Sequence, residues 1–131
     1  MVPNRSQPRR ESPGTTETQE KRFLTPDRMG SVRGLTRRSF HRISFTDWGS
    51  PTADRAIVCV HGLTRNGRDF DHLAAALAGR GRRVVCPDLP GRGQSDRLID
   101  SSDYVLPQYC SDMTALMAAM GSVEIDWVGT S

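Results

Sequence analysis

Three short apolar runs, each closed by a cluster of small and polar residues, constrain this chain more than any other feature. Ala56-Ile57-Val58-Cys59-Val60 runs into His61-Gly62, Arg83-Val84-Val85-Cys86 stops at Pro87, and Ile125-Asp126-Trp127-Val128 leads into Gly129-Thr130-Ser131. Short, nearly continuous apolar runs suit strands buried on both faces of a parallel sheet. Between the first two runs, Phe70, Leu73, Ala74, Leu77 and Ala78 recur at helical spacing, with Asp69 placed to cap the start and Gly79 or Gly81 to end it. After the second run a long loop reaches Ser102. Leu106, Tyr109, Met113, Leu116, Met117 and Met120 then mark another amphipathic helix, with Pro107 in its first turn and Gly121 at its close. Strand, helix, strand, helix, strand with these connections predicts an α/β fold: right-handed crossovers and a mostly parallel sheet flanked by helices. One or two further strands fit around Phe40, Ile43 and Phe45, ahead of a turn signal at Asp47-Trp48-Gly49-Ser50-Pro51.

Charge divides the chain in two. Residues 1–42 hold ten of the 18 basic and four of the 15 acidic residues, a balance of +6, whereas 43–131 hold eight and eleven, a balance of −3. The net +3 therefore belongs to no single surface, which excludes a basic nucleic-acid-binding domain built from the whole chain. Residues 1–38, rich in Pro, Ser, Thr, Gly, Gln, Glu and Arg without an apolar face, are expected to form a disordered basic tail, and 39–131 the folded part of a single domain. Arg9-Arg10 and Arg37-Arg38 could draw an acidic partner or an anionic surface, through contacts that weaken with salt; a solvated tail is the simpler reading. No run approaches the ~18 apolar residues of a membrane span, and no apolar stretch of a secretory signal follows the basic N-terminus, so a cytoplasmic address and no membrane partner are expected. Cys59, Cys86 and Cys110 are odd in number and widely spaced. They suggest neither a disulfide framework nor a zinc site, and each is read as a small buried residue.

The residues that could carry chemistry sit just past the predicted core strands, where an open α/β sheet places its ligand. They are His61-Gly62-Leu63-Thr64-Arg65-Asn66-Gly67, Asp88-Leu89-Pro90-Gly91-Arg92-Gly93-Gln94-Ser95 and Gly129-Thr130-Ser131. Gly-x-Ser alone carries little weight, because at roughly 7% for each residue type a chain this long meets it by chance about every other time. Its position behind two other patterned strand ends carries more. The Gly-x-Gly of the second cluster lacks a third glycine at dinucleotide spacing and a helix opening on it, so it is a weak phosphate signal. His41 and His72 read as packing or surface residues, and Met113, Met117 and Met120 as core.

In order and spacing, these clusters resemble the N-terminal half of the α/β-hydrolase fold family, over roughly Phe40 to Ser131. They look most like its serine esterase, lactonase, haloperoxidase and carbon–carbon bond hydrolase members. The resemblance implies a strand order of 1-2-4-3-5, with Ser131 as nucleophile on a sharp strand-to-helix turn and Gly129 as the small residue two before it. It implies that His61-Gly62 is a structural motif and that the backbone N–H of Leu63 is one oxyanion donor. Asp88 falls where the family has a loop residue rather than the triad acid; with Ser95 it is expected to satisfy loop backbone groups, while Gly91 and Gly93 permit turns. The second oxyanion donor, the triad acid and the base belong to segments after the nucleophile. A serine at position 131 argues against the dehalogenase and epoxide hydrolase branches, whose nucleophile is a carboxylate. The implied function is serine-dependent hydrolysis of a small-molecule ester or related carbonyl compound, with no metal or organic cofactor and no nucleic-acid partner. As an isolated fragment the chain is expected to be inactive, with its fifth strand left as an aggregation-prone sheet edge. The alternative is a non-catalytic binding or regulatory protein that keeps half of the hydrolase fold.

Overall fold

A computed structural model describes residues 24–131; the tail expectation for residues 1–23 lies outside the described residues. Order begins earlier than position 39. Strand β1, Arg28–Leu35, pairs antiparallel with β2, Phe40–Trp48, from Arg28 opposite Asp47 to Leu35 opposite Phe40. The tail expectation is thus corrected for this stretch, and the cause is glycine. The more buried positions of β1 are Arg28, Gly30, Val32 and Gly34, while Met29 and Leu35 point outward, so hydropathy carries no inward signal. Glycine is required there because a Cβ at position 30 would lie 2.6 Å from the ring of Phe45, and one at 34 would collide with His41 and Asp112.

The expected turn at Asp47-Trp48 is also corrected. β2 runs through both residues, and both are buried. Asp47 accepts from Arg83 Nε and Nη2 at 3.1 and 3.0 Å, and Trp48 Nε1 donates to Thr46 Oγ1 at 2.9 Å, so the polar atoms that suggested a turn are satisfied inside.

Strand β3, Arg55–Val60, and strand β4, Arg83–Pro87, pair in parallel, as do β3 and β5, Glu124–Gly129, giving the sheet order β1-β2-β4-β3-β5. Helix α1, Asp71–Gly79, joins β3 to β4, and helix α2, Leu106–Met120, joins β4 to β5. The alternation of β3 divides the core. Ala56 and Val58 pack with Val85, Met113, Leu116 and Met120 on the α2 face, whereas Ile57 and Cys59 pack with Phe70, Ala74, Val84 and Cys86 on the α1 face.

The helix ends follow the expected punctuation in part. Pro107 lies in the first turn of α2, and Gly121 caps its end with φ +70°. Asp69 is not a cap: Asn66 accepts from the Arg68 N–H at the start of a short 3-10 turn, and Asp69 instead pairs with Arg65 at 2.7 Å. Arg83 joins three elements, because its Nη1 also donates to the Met120 carbonyl at 2.7 Å, one of the carbonyls left open at the end of α2. β5 forms the sheet edge, and none of its residues is fully buried, unlike those of a core strand. Among the described residues no helix is long and apolar enough to cross a membrane.

Candidate active site

Parallel strands β3 and β5 end side by side, from Arg55 opposite Glu124 to Val60 opposite Gly129, and this register sets the loops of the first and third clusters next to each other. The N–H of Thr130 donates to the Val60 carbonyl at 3.1 Å, which extends the pairing one residue past the strand. As a result Gly62 faces Ser131. A Cβ at position 62 would lie 2.9 Å from the Ser131 carbonyl carbon, so glycine is what lets the two loops meet. A Cβ at Gly129, by contrast, would meet nothing described within 4 Å.

His61 is buried with both ring nitrogens engaged. The Leu89 N–H donates to Nε2 at 2.9 Å, which leaves the ring proton on Nδ1, where it donates to the Gly62 carbonyl at 2.7 Å. The imidazole thus bolts the β3 loop to the β4 loop and has no nitrogen free to take a proton from a hydroxyl. Leu63 is exposed, and its N–H makes no hydrogen bond within the described residues, while its carbonyl accepts from Arg92 Nε at 3.1 Å.

The second cluster is scaffolding around Asp88. This buried carboxylate accepts from the Gly67 N–H at 2.7 Å and from the Gln94 N–H at 2.9 Å. Ser95 accepts from the Ser44 N–H at 2.9 Å and donates to the Asp88 carbonyl at 2.6 Å. Gly93 has φ +51° and sits so close to the Asp88 carboxylate that no side chain fits. Both hydrogen bonds of the Asp88 carboxylate come from backbone N–H groups, so the side chain holds the loop together.

Around Ser131 opens a cavity of about 660 Å³, within the usual range of small-molecule sites. Val60, Leu63, Leu89, Met113, Met117 and Trp127 are among its apolar lining, and Thr130 and Ser131 among its polar lining. Met113 and Met120 are core residues as expected; Met117 is only half-buried and lines the cavity. Cys59 and Cys86 are buried, but Cys110 is exposed and lines the cavity, because the first turns of α2 border the cavity rather than the sheet interior. The Cys86 thiol is pushed up well beyond the usual thiol range, first by its hydrogen bond with Cys59 and then by burial, which keeps it protonated and inert. Among the described residues no cluster of three or more His, Cys, Asp or Glu could hold a metal.

Two placements escaped the sequence reading. His41, expected as a packing or surface residue, is buried and shares a 2.9 Å contact with Asp112, itself fully buried on α2. Arg92, the middle residue of Gly91-Arg92-Gly93, reaches the cavity and lies over the rings of Tyr104 and Tyr109. His72 stands exposed on α1, across the sheet from the cavity. All three histidines of the sequence are thus accounted for, and none is placed to serve Ser131 as a base.

A mixed five-stranded sheet with this crossover order and a loop-built cavity at the ends of its parallel strands defines an open α/β architecture. Residues 55–131 match the alpha/beta hydrolase fold family, and the chain belongs to it. It is 50% identical over 104 residues to a 3-hydroxybutyrate-oligomer hydrolase of Cupriavidus necator, a match covering 79% of this chain and 35% of that protein. It is 33% identical over 89 residues to a non-heme haloperoxidase of Rhodococcus erythropolis, covering 68% of this chain and 31% of that protein. Among solved structures, an alpha/beta hydrolase of Novosphingobium aromaticivorans superposes with a TM-score of 0.66 at 36% identity, over 79% of this chain and 35% of the other. The chain spans about a third of the length of these relatives.

Proposed function

We propose that this chain carries the nucleophile and one half of the oxyanion hole of a serine-dependent ester hydrolase. Ser131 is the nucleophile, and Leu63 N–H is a donor to the oxygen on which negative charge develops. The observation that carries the reading is the approach of Gly62 to Ser131, which sets the candidate donor loop against the candidate nucleophile in one cavity. The unengaged Leu63 N–H supports it, since an oxyanion donor must be left open for substrate. The hydrogen bonds that occupy His61 and Asp88 argue against them as base and acid. The base and the orienting acid are therefore to be sought outside these 131 residues, in keeping with the greater length of the relatives.

For the substrate we propose a short aliphatic ester of a hydroxy acid, of the kind named for the relative that shares half of its aligned residues. A mostly apolar lining with a few polar groups fits such a molecule, whose hydrocarbon segments alternate with ester groups. The reading includes a cytoplasmic address, supported by three free thiols.

Placing the 131 residues in the matching segment of the Cupriavidus necator enzyme tests the assignment by turnover. The chimera is expected to hydrolyse a 3-hydroxybutyrate dimer, and Ser131→Ala to lower kcat by about 10⁴-fold or more. The isolated chain is expected to show no turnover. Activity that survives Ser131→Ala, or turnover by the isolated chain, overturns the proposal.

A further inference from the structure

Of the charged residues that border the Ser131 cavity, Arg92 is the only one among the described residues, and its environment is unusual for a cation. Most arginines on this surface are neutralised: Arg55 pairs with Asp126, Arg65 with Asp69 and Arg68 with Asp71. Arg92 has no carboxylate partner among the described residues. It is only partly exposed, and its bonds are all to neutral groups: Nε donates to the Leu63 carbonyl at 3.1 Å, and Nη1 to the Pro90 carbonyl at 3.0 Å and the Tyr109 hydroxyl at 3.1 Å. The rings of Tyr104 and Tyr109 lie 5.9 and 5.5 Å from the guanidinium carbon. Nη2 donates to nothing within the described residues.

This arrangement fixes the guanidinium plane in advance and leaves the two N–H groups of Nη2 and the charge available. An arginine already held by three hydrogen bonds and two rings has little rotamer freedom left to lose when it takes up a ligand. A half-desolvated cation without a counter-charge favours an anion more strongly than one in bulk water does. The free Nη2 can donate a charge-assisted hydrogen bond to a carboxylate oxygen, and a single arginine balances a single negative charge. The cavity beside it is otherwise apolar and holds Ser131, so an anion held at Nη2 would carry its hydrocarbon and ester segments along the wall toward the serine.

We propose that Arg92 forms a carboxylate subsite, and that the substrate is an oligoester presenting a free carboxylate rather than a neutral ester. This rests on the ester-hydrolase reading above and adds the charge that the site selects. Arg92 is here a specificity residue, not part of the bond-breaking machinery.

The test is a binding measurement that does not depend on turnover. In the chimera with the Cupriavidus necator enzyme carrying Ser131→Ala, where position 131 is followed by peptide, isothermal calorimetry reads occupancy of the cavity without turnover. Titrated at low ionic strength and neutral pH, the linear 3-hydroxybutyrate dimer is expected to bind at least ten-fold more tightly than its methyl ester. Arg92→Gln should abolish that preference by weakening the acid alone, and Arg92→Lys should retain part of it. Equal affinity for acid and ester, equal weakening of both by Arg92→Gln, or no binding of either overturns the subsite. The two proposals fail separately. A carboxylate preference together with a chimera that is active without Ser131 leaves the subsite standing and removes the nucleophile, whereas Ser131-dependent hydrolysis with no preference for the acid does the reverse.

Discussion

At the scale of single residues, the decisive evidence is which polar atoms are already spoken for. His61 attracts attention as a histidine beside a candidate nucleophile, yet its two nitrogens are used by Leu89 and Gly62. Replacing it with alanine would leave a buried N–H unpaired and strip the Gly62 carbonyl of its donor. His61→Ala is therefore expected to cost about 1–3 kcal/mol, read from the midpoint of urea unfolding. An unchanged midpoint would show that the bolt between the two loops carries no stability. The structural reading of His61 and Asp88 came from the resemblance to the family and not from residue type alone, since a polar residue past a buried strand of an open α/β sheet also stands where ligands bind. Arg92 was not legible, since its meaning depends on Tyr104, Tyr109 and Leu63, brought to it by separate loops and a helix. The His41–Asp112 pair was hidden for the same reason, its partners lying 71 positions apart.

At the scale of elements, the strand that delivers Ser131 is held at its edge by charge as well as by backbone pairing. Asp126 of β5 accepts from Arg55 at 2.9 Å and from Arg82 at 3.1 Å. The hydrogen bond from Arg55, with its charge, holds the Asp126 carboxyl below its ordinary range. A group whose folded pKa is depressed stabilises the fold above its unfolded pKa, and that contribution is lost as pH falls through the folded value. Amide protection in β5 should accordingly fall relative to β4 as pH drops below the ordinary carboxylate range, about 3.9. Asp126→Asn should lower β5 protection already at neutral pH and remove this pH dependence. Equal pH profiles for β5 in the two proteins would contradict the anchoring role. Burial explains which strands could be read in advance. β3 and β4 are covered on both faces and advertise it in unbroken apolar runs. β1 was invisible because two of its inward positions, Gly30 and Gly34, owe their identity to the bulk of Phe45, His41 and Asp112 above them.

At the scale of the whole molecule, the fold explains how a modest set of loops comes to line one cavity. The central parallel pair, β3 and β4, together with β5, ends on one side, and the 660 Å³ cavity opens beyond those ends, with α2 as its further wall. Exposed apolar residues gather there, including Leu63, Leu106 and Trp127, and the edge of β5 is unpaired within the described residues. Such surface suits a substrate or additional polypeptide better than water. The central claim is that Ser131 is the nucleophile, and covalent capture tests it most directly. The chimera with the Cupriavidus necator enzyme would be treated with a fluorophosphonate, digested and mapped by mass spectrometry, with the 131-residue chain as control. The account predicts one adduct per chimera on Ser131, none after Ser131→Ala and none on the isolated chain. A folded, ester-hydrolysing chimera whose adduct lies on another residue would contradict it.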